Sequence, residues 1–212
     1  MLISFEGIEG SGKSTHCKWL HEHLKEKGIP ALLTKEPGGT EAGQEIRKIL
    51  LNEKSDLTPH AELMLYMADR AQHVEHVIKP ALAAGKVVLV DRYFDSTTAY
   101  QAYGRGLDFD MVARVNKIAV DGCVPDRTFL FDLDAKDGLE RARSRNHEQG
   151  TSKSEGRFEA LDLGFHEKVR MGYLEMAFTD PDARFRIVDA FPSLETVFYE
   201  MFCKLPKDLV CV

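Results

Sequence analysis

The chain carries little that points to an extracellular, membrane-bound or nucleic-acid-coating protein. Its cysteines, Cys17, Cys123, Cys203 and Cys211, form no CxxC pair and no metal-ligand spacing. They read as buried or incidental thiols in a reducing compartment. No apolar run is long enough to span a bilayer. The apolar opening runs straight into a strand pattern and reads as neither signal peptide nor anchor, so a cytoplasmic location is expected. A formal net charge of −6 argues against the broad basic surface that general nucleic-acid binding requires. There is no internal repeat. His21 and His23 fall on different helix faces, and His73 and His76 share one but lack a third ligand for zinc.

What is present begins at once. Met1 to Phe5 read as a short apolar strand, followed by GIEGSGKS, Gly7 to Ser14. Gly7, four residues and then Gly12-Lys13-Ser14 is the phosphate-binding loop spacing. Glycines let backbone N–H groups turn inward around phosphate oxygens, the lysine reaches the β- and γ-phosphates, and the hydroxyl ligates Mg²⁺. A helix opening at about Lys13 adds its positive end to the same anion.

Periodicity sketches the rest. Cys17, Leu20 and Leu24 recur at helical spacing up to Gly28, and Ile29 to Thr34 is a second strand. After Gly38-Gly39 a helix carries Ile46, Ile49 and Leu50 on one face. Thr58-Pro59 starts a long helix toward Ala84, with the hydroxyl as cap and proline in the first turn, and Pro80 should kink or divide it. Lys86 to Val90 is an apolar strand of the kind covered on both faces. Helices over Ser96 to Tyr103 and Phe109 to Asp121, a strand over Thr128 to Leu133 and a helix from the Asp134 cap to Arg145 follow. Asn146 to Gly156 is a polar flap; then come a helix from Glu159 to Phe178, a strand at Phe185 to Val188 and a helix from Leu194 to Lys204. Strands alternating with helices predict one α/β domain, a five-stranded parallel sheet with helices on both faces and a small lid at about residues 143–158.

Ligands of such sheets gather beyond the carboxyl ends of the strands. There the chain places the phosphate loop, Lys35-Glu36-Pro37-Gly38-Gly39, Asp91-Arg92-Tyr93 and Asp189 to Pro192. Asp91, ending an apolar strand, stands where an acid holds Mg²⁺ directly or through water, although helix capping is its ordinary alternative. Arg92 can fork onto phosphate oxygens, or form a surface ion pair.

GIEGSGKS, TKEPGGT (Thr34 to Thr40), EIRK (Glu45 to Lys48), LYMADR (Leu65 to Arg70), VDRYFDSTTAYQ (Val90 to Gln101), GRG (Gly104 to Gly106) and GRFEALDLGFHEKV (Gly156 to Val169) occur in one order across nearly the whole chain. In that order they closely resemble bacterial thymidylate kinases. The resemblance implies phosphorylation of dTMP to dTDP with MgATP, Mg²⁺ as cofactor, and a homodimer. It implies an ATP site at Gly7, Ile8, Glu9, Gly10, Ser11, Gly12, Lys13, Ser14 and Thr15 with Arg143, and Mg²⁺ at Ser14 and Asp91. Glu9 matches an acid near the acceptor's 3′-hydroxyl, while Glu36 and Pro37 line the acceptor site and Arg47 and Arg92 match holders of its phosphate. Tyr66 matches a ring that stacks on thymine, although its spacing with Leu63 also suits a core residue. Arg70 matches the arginine on a thymine carbonyl; Ser96, Thr97 and Gln101 surround the base; Tyr100 faces the sugar C2′ and would disfavour a ribose. Asp189 to Pro192 resembles an adenine-binding loop.

An acceptor that is already a phosphate needs no strong protein base, so catalysis reduces to positioning and charge neutralisation by Lys13, Mg²⁺ and Arg92. One subclass adds an arginine within the loop, where this chain has Gly10. The missing charge should come from the lid, with Arg157 first and Arg143, Arg145 and Lys153 behind it. Lys35 replaces an arginine common before EPGG, and Asp69 replaces a small residue and is placed to pair with or reorient Arg70. The alternatives are the same transfer to another monophosphate or a deoxynucleoside, or a phosphate-loop switch, which needs no acceptor pocket.

Overall fold

The computed structural model describes residues 1–151, 154, 156–206 and 209; Lys153 and Cys211 lie outside the described residues. Five strands run parallel: β1 (Leu2–Glu6), β2 (Ala31–Lys35), β3 (Val87–Asp91), β4 (Arg127–Asp132) and β5 (Phe185–Asp189). Their order is β2-β3-β1-β4-β5. Register places Phe5 and Lys35 on either side of Asp91, so β1, β2 and β3 end together. The helices are α1 (Lys13–Glu26), α2 (Glu41–Leu51), α3 (Pro59–His73), α4 (Lys79–Ala83), α5 (Phe94–Thr97), α6 (Phe109–Val120), α7 (Ala135–Glu148), α8 (Leu163–Thr179) and α9 (Leu194–Cys203).

Both faces of the sheet are covered, as the unbroken apolar strands require. Alternate residues serve opposite faces: Ile3, Phe5 and Leu89 join Leu20, Phe129 and Phe131 in one cluster. Leu2, Val88 and Val90 join Val74, Ile78 and Tyr93 in the other. Among the described residues no helix is long and apolar enough to cross a membrane.

Local signals hold at most boundaries. The Thr58 hydroxyl accepts from the Ala61 N–H, with Pro59 in the first turn. Asp134 caps α7 through the Lys136 N–H. Pro80 acts as expected: Val74–Ile78 widens into a π-helical turn and α4 restarts at Lys79. A proline ring would collide with the carbonyl of His76 in a regular helix, and the wider turn relieves that. A second π-helical segment, Thr98–Gly104, follows α5.

Three expectations need correcting. Ile49 does not share the buried face of Leu50 but is 47% exposed. The helix expected to end at Arg145 runs on to Glu148, taking the first residues of the polar flap with it. There the Asn146 amide donates to Glu159 at 3.1 Å, anchoring the extra turn. The next helix begins at Leu163 rather than Glu159, because Asp162 caps it through the Phe165 N–H.

Candidate active site

A cavity of about 490 Å³ opens at the carboxyl ends of β1, β2 and β3. At one end lie Glu9, Gly10, Gly12, Lys13, Ser14 and Thr15. At the other lie Glu36, Pro37, Arg47, Tyr66, Arg70, Thr97, Tyr100 and Gln101, with Asp91, Arg92 and Ser96 between. Five of the sequence motifs therefore meet in one space. Tyr66 both lines it and packs against the apolar clusters.

At the loop, Lys13 Nζ donates to the Ile8 carbonyl at 3.0 Å, bridging the loop across its mouth. Burial and the neighbouring Arg92 push its ammonium down to about 8, against Asp91 and Glu9, which raise it. Gly7 offers its carbonyl to Arg92 at 3.1 Å, and Ser11 is buried beneath the loop. One oxygen of Asp91, Oδ1, is buried without a hydrogen-bond partner among the described residues. An orphaned carboxylate oxygen and the Ser14 hydroxyl, which lines the same cavity, are hard-oxygen donors of the kind that suit Mg²⁺ completed by waters and substrate phosphates.

Arg92 holds the centre with a left-handed backbone, φ 67°, an uncommon conformation for a side-chain-bearing residue and one that clusters at functional sites. Its Nη2 donates to Glu9 Oε1 at 2.9 Å, and its guanidinium lies 5.1 Å from the Tyr100 ring. The Tyr100 hydroxyl donates to the same Glu9 oxygen. Burial alone would raise Glu9, but Arg92, His166 and Lys13 outweigh it and hold the carboxyl well below its ordinary range. Beneath this cluster Glu6 accepts from Ser96 at 2.6 Å and Tyr173 at 3.1 Å, and burial together with Asp95 pushes its carboxyl up to about 8.

At the far end Arg70 is 1% exposed. Its Nε donates to Glu36 at 2.8 Å, and its Nη1 donates to Thr97 at 3.0 Å and Asn116 at 2.8 Å. The other Glu36 oxygen meets His73 Nδ1 at 2.9 Å, and His73 Nε2 meets Thr34 at 2.7 Å. His73 is thus a loop-holding residue, and among the described residues no three His, Cys, Asp or Glu side chains cluster for a metal. Asp69 neither pairs with nor turns Arg70. It accepts the Gly38 N–H at 2.9 Å and tethers the glycine loop. Arg47 donates to the Pro37 carbonyl at 3.1 Å.

The lid candidates separate. Arg157 is 9% exposed and does not line the cavity; its Nη1 donates to Glu62 at 2.6 Å and to the Leu50 carbonyl at 3.1 Å. Its Nη1 is thus held between α2 and α3, outside the residues that line the cavity. Arg143 is likewise turned away, with Nε and Nη2 on the Glu159 carbonyl at 3.0 and 2.8 Å. Arg145 does line the cavity, together with Asn146 and Gln149 on the end of α7. Glu62, Asn116, His166 and Tyr173 had no local signal, since each acts through a partner 39 or more residues away, as Glu62 does with Gln101.

A second cavity, about 510 Å³, lies beside the first between α7 and the turn after β5. There Arg141 donates to the Ala190 and Phe191 carbonyls at 3.1 and 3.2 Å.

Fold, loop and cavity together define a phosphate-loop nucleotide-binding protein of the α/β class. Residues 5–201 match the sequence profile of thymidylate kinase. The thymidylate kinase of Nitratidesulfovibrio vulgaris (strain Miyazaki F) is 54% identical over 202 residues, 95% of this chain and 94% of its own length. That of Halothermothrix orenii is 48% identical over 211 residues, 99% and 98% of the two chains. The crystal structure of thymidylate kinase from Ehrlichia chaffeensis superposes with a TM-score of 0.75 at 32% identity, covering 96% of each chain. The chain belongs to the thymidylate kinase family.

Proposed function

We propose that this enzyme transfers the γ-phosphoryl group of MgATP to dTMP, yielding dTDP and ADP. The observation that carries the reading is the single cavity that joins the phosphate loop to the Tyr66–Arg70 end. It provides for donor and acceptor within one space, and a nucleotide-hydrolysing switch would have no use for its far end. The pyrimidine is assigned between Tyr66, Arg70, Thr97 and Gln101, the sugar beside Glu9 and Tyr100, and the acceptor phosphate between Arg92 and Arg47.

The acceptor phosphate is itself the nucleophile, so the protein's work is alignment and charge neutralisation. Lys13 draws the donor's β- and γ-phosphates, and Arg92, braced by Glu9 and Gly7, faces both phosphate groups from the middle of the cavity. Ser14 and Asp91 are the residues that would hold Mg²⁺, which when bound neutralises charge on the donor phosphates. The lid charge is assigned to Arg145, because it lines the cavity, held there by Asn146 at 3.0 Å and Glu159 at 3.5 Å, while Arg157 does not line it. The adenine is assigned to the second cavity, beside Arg141 and Phe191.

We read the chain as one domain whose lid spans about residues 143–158, acting in the cytoplasm. A homodimer is supported by the apolar residues left exposed on two packed helices, Met64 on α3 (48%) and Ile118 on α6 (77%). The net charge of −6 supports a small-molecule substrate over nucleic acid. The test is ADP release in a coupled assay with dTMP, dUMP, dCMP, AMP and GMP. Fastest turnover of dTMP is expected; faster turnover of another monophosphate, or release without an acceptor, rejects the reading.

A further inference from the structure

Glu62 precedes Tyr66 and Arg70 on α3 at four-residue steps, and so lies on the same helix face. It is fully buried. One oxygen accepts Gln101 Nε2 at 2.9 Å and Arg105 Nε at 3.1 Å; the other accepts Arg105 Nη2 at 3.0 Å and Arg157 Nη1 at 2.6 Å. A buried carboxylate is costly to desolvate unless its charge is answered, and the two guanidiniums answer it. The neutral amide is left over, and its role lies elsewhere.

Gln101 lines the cavity beside Tyr66, Arg70 and Thr97. A side-chain amide can offer a ligand either its NH₂ donor or its carbonyl acceptor, and nothing intrinsic to glutamine decides which. Glu62 decides it. A carboxylate only accepts, so it takes the amide nitrogen and leaves the carbonyl oxygen for the cavity. The neighbouring Arg70 offers donors alone. The pair therefore presents a donor beside an acceptor. That matches a pyrimidine edge with a carbonyl next to a protonated ring nitrogen, as in thymine or uracil. Cytosine carries the opposite pattern there, an amine next to a ring lone pair.

We propose that Glu62 is a specificity-positioning residue, which by holding the Gln101 amide nitrogen makes the site select an imide-bearing pyrimidine over an aminopyrimidine. The inference rests on the assignment of the base to the Tyr66–Arg70 end of the cavity.

The test is the ratio of kcat/KM for dTMP to that for dCMP in the wild type, Glu62→Gln and Glu62→Asp. A glutamine at this position can itself donate, so the Gln101 amide is free to reverse. The ratio is expected to fall about tenfold or more in Glu62→Gln, chiefly through a higher KM for dTMP, as one buried hydrogen bond is mismatched. Glu62→Asp keeps an acceptor and is expected to retain more of the ratio. A Glu62→Gln enzyme that loses activity on both substrates in proportion, with the wild-type ratio, overturns the proposal and leaves Glu62 a structural residue. Should Glu62→Gln not fold, Glu62→Gln/Arg157→Met removes one cation with the anion and is read by the same ratio. A wild type with no preference for dTMP over dCMP overturns the functional reading itself.

Discussion

Gly10 in the phosphate loop and Gly138 in α7 are packed backbone to backbone. A Cβ on Gly10 would overlap the Gly138 carbonyl oxygen, and one on Gly138 would lie 2.6 Å from the Glu9 carbonyl and 2.8 Å from Ile8 Cδ1. Gly10 also has φ 72°, a conformation that side-chain-bearing residues adopt with strain. The loop therefore has no room for an arginine of its own. The same contact docks α7 on the loop, and the end of α7 carries Arg145 to the cavity.

Gly138→Ala is expected to lift α7 off the loop. KM for ATP should rise about tenfold or more while dTMP binding, measured by calorimetry, changes much less. Equal weakening of both ligands would show that the contact does not act through the loop.

Arg145→Ala is expected to lower kcat on the order of 10³-fold with little change in dTMP affinity, as for arginines that neutralise a transferring phosphoryl group. Arg157→Ala should act differently, removing a partner of the buried Glu62 and lowering thermal stability by about 3 kcal/mol. Should kcat collapse in Arg157→Ala and not in Arg145→Ala, the catalytic role returns to Arg157.

Lys13 reaches about 8 because of burial and Arg92. Above that pH the free enzyme loses the loop cation that the proposed function assigns to the donor phosphates. The profile of kcat/KM for ATP, which reports the free enzyme, is expected to bend downward near pH 8. A profile level to pH 9.5 contradicts this.

Glu6 is raised to about 8, by burial and by Asp95, from an ordinary value of 4.5. Between these values the native state binds more protons at Glu6 than the unfolded state does. Its contribution to stability is fully present below about 4.5 and is lost as pH rises toward 8. Glu6→Gln does not titrate, so its stability relative to wild type should improve from pH 5 to pH 8, by a few kcal/mol at most. Urea titrations of both proteins at the two pH values measure the difference; a constant difference would place Glu6 in its charged form throughout.

Much of the site was legible because its signals are local. GIEGSGKS needs only its own spacing to be read as a phosphate loop, Thr58-Pro59 only its own chemistry to start α3, and the run before Asp91 only its own apolarity to be a covered strand. The same holds for the parallel sheet, since helix and strand periods alternate along the chain. Such properties depend on neighbours a few residues apart, and chain order alone determines them.

What a charged side chain does with its charge is different, because that is decided by whichever groups the fold brings within about 3 Å. Arg157 and Arg145 flank the same polar stretch; Glu62, 95 residues before Arg157, holds one, while the other stands at the cavity with Asn146 and Glu159. Asp69 sits next to Arg70 in sequence, yet bonds Gly38 across 31 residues while Arg70 takes Glu36. The chain by itself determined a phosphate loop on a parallel sheet with an acceptor site beyond its strands. Only the tertiary structure decided which arginine lines the cavity and which carboxylate holds the Gln101 amide, because ion pairs and hydrogen bonds fall off within a few ångströms and carry no sequence period.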